Sequence, residues 1–183
     1  MALKSTIFKA HLQIADMDRH YYGEHILTLA RHPSETDERM MVRLLAFALN
    51  ADPQLTFAEG ICQDDEADLW QRDLTGVIKL WIEVGTPDEK RIRKACGRAQ
   101  QLIVYCYGSV RTVDIWFAQN RASLMRLNRL SLLRLPEEQT GALADMAQRS
   151  MSLQCTIQDG QVWLSDGNTT LEINREVLIG SAC

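Results

Sequence analysis

Apolar and polar residues alternate early in the chain: Phe8, Ala10, Leu12 and Ile14 are separated by Lys9, His11 and Gln13. A period of two puts the apolar set on one face of a strand. Asp16-Met17-Asp18 turns the chain, and a second strand is expected near Glu24 to Arg31. The period then changes. Met41, Leu44, Leu45, Ala48 and Leu49 recur at helical spacing, which predicts a helix over Glu35–Leu49. Ser34 is its expected cap, and the acids of Pro33-Ser34-Glu35-Thr36-Asp37 suit the positive helix end. Asn50-Ala51-Asp52-Pro53 stops that helix, and Leu55 to Cys62 reads as a strand.

A hairpin follows over Glu66 to Gly85. Thr86-Pro87-Asp88-Glu89 then has the order of a capping box, with Thr86 as cap and Pro87 in the first turn, so a helix is expected to about Gln101. Leu102 to Tyr107 is a continuous apolar run that ends at Gly108, the pattern of a strand buried on both faces. A helix from Val110 to about Asn128, a strand over Leu130–Leu135 and a helix over Pro136–Gln148 complete the middle of the chain. Asp159-Gly160 and Asp166-Gly167 are hairpin turn signals in a terminal β-meander. With no repeat and no long linker, the expectation is one domain over residues 1–183. Its class is mixed α+β: a central mixed sheet flanked by helices, with antiparallel hairpins at both ends.

Composition narrows the class of function. A net charge of −4 gives no global basic footprint, so any nucleic-acid binding must rest on a local patch. The five cysteines are scattered, odd in number and without a CxxC pair, which argues for a reducing, cytoplasmic setting and against a zinc site. The four histidines all fall within the first 32 residues and form no HExxH pattern. The sequence has neither a signal-like apolar stretch at MALKSTIFKA nor a run of apolar residues long enough to span a bilayer, so no membrane association is expected.

The hairpin holds the sharpest candidate chemistry. If its turn is centred on Thr75-Gly76, opposed residues have numbers that sum to 151. Leu69 then faces Ile82, Trp70 faces Trp81, Arg72 faces Lys79, and Asp68 faces Glu83. Directly opposed side chains have Cβ atoms roughly 4.5–5.5 Å apart, so like charges there destabilise the pairing unless a cation lies between them. Two carboxylates without histidine or cysteine suit a hard ion such as Mg²⁺ or Mn²⁺. A solvated pair of surface acids is the simpler reading of the same residues.

Two neighbouring features bear on the choice. Glu38 lies one turn before Met41 on the first helix and could supply a third oxygen, although a first-turn acid also serves the helix dipole. Glu59 shares a strand face with Leu55 and Phe57 and is a further candidate. On the helix after Glu83, Lys90, Lys94 and Gln101 follow one stripe, with Arg98 close to it and Arg91 and Arg93 beside it. Such a face can meet phosphates without reading sequence, and it is equally the charged side of an exposed helix.

The segments RHPSETDERMMVRLLAFAL, CQDDEADLW, LWIEVGTPDEKRIRKA and MSLQCTIQDGQVWLSDG resemble the YaeQ family over nearly the whole chain. That resemblance implies the PD-(D/E)xK, or restriction-endonuclease-like, fold. Its core order is helix, three strands, helix, strand, which matches the elements expected over residues 35–108. By the same resemblance Asp68 would be the metal-binding aspartate, Glu83 the second acid, and Glu38 the acid of the first core helix. Ala67 stands where proline is usual, and Gly85 stands where the motif places its lysine. Lys90, Lys94 or Lys79 could take over that lysine's role. The expectation is therefore a divalent-metal-dependent nuclease or phosphodiesterase. The alternative is a catalytically inactive nuclease-fold protein that binds nucleic acid or a protein partner, with Trp70 and Trp81 as a platform.

Overall fold

The computed structural model describes residues 5–58 and 66–180. The chain forms two compact units: Met1–Leu49 with Glu138–Asn174, and Asn50–Glu137 with Arg175–Cys183. The elements expected to share one core over residues 35–108 divide between them, with the first helix in one unit and the hairpin and its following helix in the other.

The first unit is built on a five-stranded sheet. Strands β1 (Thr6–Asp16) and β2 (Tyr21–Arg31) form the expected hairpin, and Phe8, Ala10, Leu12 and Ile14 are its buried face. The terminal meander does not stand apart from it. In this sheet β8 (Ser150–Gln158) lies parallel to β1, with Leu12 beside Leu153 and Ile14 beside Cys155. The order is β10-β9-β8-β1-β2, where β9 is Gln161–Ser165 and β10 is Thr170–Glu172. The two terminal hairpins expected as separate decorations thus make one mixed sheet, because each has a single apolar face and the two faces bury side by side. Asp18 in the β1–β2 turn joins them, accepting hydrogen bonds from the backbone N–H groups of Asp159 and Gly160 in the next turn, at 2.7 and 2.8 Å.

Helix α1 (Asp37–Leu49) is buried continuously from Met40 to Leu49. Its cap is Thr36, whose hydroxyl accepts from the Arg39 N–H at 3.1 Å; the expected cap, Ser34, instead bonds His32. The helix starts two residues late because Glu35 has another task. Its carboxylate takes a two-pronged pair of bonds from Arg43, at 2.7 and 2.9 Å, and both groups are buried. Glu38, also on the first turn, accepts a bond from the Thr140 hydroxyl at 2.6 Å on α4 (Glu137–Asp145).

The second unit is a six-stranded sheet of order β11-β7-β6-β5-β4-β3. Its centre is three parallel strands, β5 (Ile78–Val84), β6 (Ala99–Cys106) and β7 (Leu130–Arg134), joined by helices α2 (Glu89–Arg98) and α3 (Val110–Leu124). Leu102 to Cys106 are all buried, as the unbroken apolar run requires. Strands β3 (Leu55–Phe57), β4 (Leu69–Arg72) and β11 (Glu176–Ile179) add antiparallel edges. Helix α2 is capped by Asp88, not Thr86: the Asp88 carboxylate accepts from the Arg91 N–H at 2.8 Å. It ends at Arg98 because Ala99 already pairs with Ile78, which starts β6 three residues before the expected Leu102. The strand expected over Leu55 to Cys62 is described as Leu55–Phe57; Glu59 and Cys62 lie outside the described residues.

The Glu35–Arg43 pair gives a test of the first unit. Glu35→Ala removes the carboxylate that the buried Arg43 guanidinium bonds and is expected to cost about 3 kcal/mol in urea unfolding. The double change Glu35→Leu with Arg43→Met removes both charges and should recover most of that loss.

Candidate metal centre

The β4–β5 hairpin keeps the register that its hydrophobic pattern sets. Leu69 pairs with Ile82, Trp70 with Trp81 and Gln71 with Leu80, all summing to 151. The register then shifts, and Arg72 faces Ile78 instead of Lys79. The cause is the turn. Asp73 accepts bonds on one carboxylate oxygen from the Thr75 N–H, the Thr75 hydroxyl and the Val77 N–H, and Gly76 follows at φ 84°. Thr75-Gly76 is a poor two-residue turn, so the chain makes a longer loop ending in a left-handed glycine and absorbs the extra residue as a bulge. Lys79 is drawn to that end, with its ammonium 3.4 Å from Asp73. It lies four residues, or about 13 Å of strand, from Glu83.

At the other end of the hairpin both acids are buried: Asp68 is 7% and Glu83 2% exposed. The surface-acid reading therefore fails. Asp68 sits just beyond the regular ladder and is fastened on both sides of Glu83. Its N–H donates to the Ile82 carbonyl at 3.0 Å, and its carboxylate accepts from the Val84 N–H at 2.8 Å. The face of β5 that carries Trp81 and Glu83 is buried as well as the apolar face, since this strand is interior to the sheet.

Glu83 has a donor for each oxygen. The Trp81 indole N–H, two residues back on the same face, donates to Oε1 at 2.6 Å. The Arg91 Nε lies 3.0 Å from Oε2, and Arg91 also donates through Nη2 to the Glu66 carbonyl at 2.7 Å. These donors do not offset the cost of the site. Burial first, and the charge of Asp68 second, raise Glu83 to about 7, against the opposing pull of Arg91 and Trp81. Of the two buried carboxylates, Glu83 is the one that Arg91 meets. Helix α2 brings Arg91 there together with Lys90 and Lys94, and these three with Asp88 line an open pocket of about 240 Å³.

The other candidates are placed elsewhere. Glu38 belongs to the first unit and is bonded to Thr140. Among the described residues no three histidine, cysteine or acidic side chains are grouped to hold a metal ion. The tryptophans are not an exposed platform. Trp81 is buried at 1% exposure, and Trp70 packs edge-on against it at 5.8 Å with the Arg72 guanidinium over its other face, 3.4 Å from the ring centre. Sequence reasoning left Arg91 as a bystander beside the lysine stripe. The sequence shows Arg91 on the basic side of this helix, but its contact with Glu83 depends on where α2 lies against β5.

Hard oxygen donors on two adjacent buried acids suit a Mg²⁺-sized ion, which is commonly held by one or two carboxylates with solvent or substrate oxygens completing its shell. The chemistry of the donor set is the observation of fit: two buried carboxylates, with the Asp68 charge adding to burial in raising Glu83.

A family model described as YaeQ protein matches residues 1–175. The uncharacterized protein YaeQ of Escherichia coli is 49% identical over 174 residues, covering 95% of this chain and 96% of that one. The Salmonella typhi counterpart is 47% identical over 173 residues, covering 94% and 95%. Crystal structures agree: the YaeQ protein of Xanthomonas axonopodis pv. citri superposes with a TM-score of 0.90 at 46% identity, covering 95% of this chain and 98% of that one. That of Pseudomonas syringae superposes with a TM-score of 0.92 at 34% identity, covering 98% of each.

The buried acid makes stability depend on pH. Glu83 is raised from its ordinary 4.5 to about 7 in the folded chain, which therefore holds an extra proton between those values. Its stabilising contribution is full below the lower value and is lost as pH rises through the upper one, a fall of roughly 2–3 kcal/mol. Urea unfolding across that range should show the fall in the wild type and not in Glu83→Gln.

Proposed function

The chain belongs to the YaeQ family, and for it we propose a divalent-metal-dependent nuclease or related phosphodiesterase of the PD-(D/E)xK type, acting on nucleic acid. The observation that carries the reading is the buried pair Asp68 and Glu83, fixed side by side by one hairpin, where burial and the Asp68 charge raise Glu83. The element order α1, β3, β4, β5, α2, β6 supports the restriction-endonuclease-like classification. Asp68 and Glu83 would hold Mg²⁺ or Mn²⁺. Bound there, such an ion supplies Lewis-acid activation of the phosphodiester and of water.

The motif lysine is absent for a stated backbone reason. Gly85 has φ 97°, a conformation that strains any side chain, and its N–H is committed to the Tyr105 carbonyl at 2.9 Å. The charge returns from α2. Lys90 and Lys94 are one helical turn apart and line the same pocket as Arg91, the residue bound to Glu83. Their ammonium groups would hold phosphate oxygens and offset the charge that develops there. This geometry favours them over Lys79, which is held by Asp73 at the far end of β5.

A second reading, a catalytically inactive nuclease-fold protein that binds nucleic acid or a protein partner, is favoured by one observation. Trp81 and Arg91 give Glu83 a donor on each oxygen without any metal. Calorimetric titration of Mg²⁺ or Mn²⁺ into wild type and into the Asp68→Ala/Glu83→Ala variant separates the two, followed by assays on plasmid, single-stranded DNA and RNA. The nuclease reading expects binding that the double variant loses, and cleavage that Lys90→Ala/Lys94→Ala lowers about 10²-fold or more. Absence of metal binding by the wild type with substrate present refutes it. Metal binding without cleavage selects the inactive protein.

A further inference from the structure

The two donors that satisfy Glu83 differ in freedom. Trp81 is 1% exposed and its indole N–H is neutral, so it can stay in place beside a cation. Arg91 carries a full charge 3.0 Å from Oε2, where it would repel a divalent ion bound to the same oxygen. Arg91 also has somewhere to go. Its side chain is 25% exposed, and it already lines the open pocket of about 240 Å³ beside Lys90, Lys94 and Asp88. Among the described residues, the other group that holds its guanidinium is the Glu66 carbonyl.

Resting on the metal reading above, we infer that Arg91 is an exchangeable counter-ion: it neutralises Glu83 while no metal is bound and withdraws into the Lys90/Lys94 pocket when a divalent cation takes its place. Without Arg91, Glu83 would lose the guanidinium that lies 3.0 Å from its Oε2. With the metal present, the guanidinium released from Glu83 leaves its charge to the pocket it lines with Lys90 and Lys94, beside Asp88 among the described residues. The pocket reaches its full charge for a phosphate only when the metal centre is loaded. Arg91 is thus a positioning residue for both events.

Two measurements test this. In the first, Mn²⁺ is titrated calorimetrically into wild type, Arg91→Lys and Arg91→Met in mildly alkaline buffer. The methionine variant is expected to bind about tenfold tighter or more, with the lysine variant between, because the competing charge is gone. An arginine that merely supports the fold would leave binding unchanged or weaken it on removal, and that result overturns the inference while leaving the metal reading intact. In the second, Mg²⁺ is added to nitrogen-labelled wild type and the Arg91 Nε–H signal is followed with the Val84 amide, which reports on Asp68. Movement of both supports the exchange. A Val84 response with an unmoved Arg91 signal overturns it, even if the methionine variant does not fold. If neither wild type nor Arg91→Met binds any metal, the metal reading itself fails and the exchange with it.

Discussion

Two carboxylates buried together, one of them against Arg91, set the terms for the hairpin unit. Water would solvate Asp68 and Glu83 cheaply; the protein interior does not, and each must be given donors by the fold. The hairpin supplies the Val84 N–H and the Trp81 indole, and α2 supplies the Arg91 guanidinium. That is enough to bury the pair but not enough to restore Glu83 to an ordinary acidity. The imbalance separates this pair from a purely structural ion pair. Glu35 shows the contrast in the same chain: its carboxylate takes two matched bonds from Arg43, with the Arg39 guanidinium 3.8 Å away.

The architecture around the pair follows from the parallel centre of the six-stranded sheet. A strand interior to the sheet buries both its faces, so polar residues on β5 either find partners or are excluded. Trp81 and Glu83 lie on one face, and the indole serves its neighbour two residues along. The parallel step from β5 to β6 needs a crossover, and that crossover is α2. The basic helix beside the acids is thus a product of topology as well as of composition. Gly85 fits the same logic: the chain leaves β5 through a left-handed residue, so a cation near Glu83 has to arrive from the helix that follows.

Much of this was legible in the sequence, and the parts that were not share a cause. The register of Leu69 with Ile82 and Trp70 with Trp81 was fixed by alternation and by a turn near Thr75-Gly76, because a slip of one residue would exchange the two faces. The amphipathic β1, the apolar run of β6 and the first helix were readable from their patterns, though the helix expected over Glu35–Leu49 spans Asp37–Leu49 and β6 begins at Ala99, not Leu102. Caps were less legible. Thr36 and Asp88 replaced Ser34 and Thr86, since several capping residues stood in a row and only the backbone path chooses among them.

Local chemistry therefore determined the elements, the hairpin register and the adjacency of two acids. The tertiary structure decided what burial makes of them. It joined the terminal hairpins into one sheet through β1 and β8, because apolar faces far apart in sequence have no local signal of which will pair. It placed Glu38 in one unit and the buried acid pair in the other. Above all, it laid α2 so that Arg91 reaches Glu83. Pattern along the chain specifies which side of an element is apolar; the charge felt by a buried group depends on contacts that only packing creates.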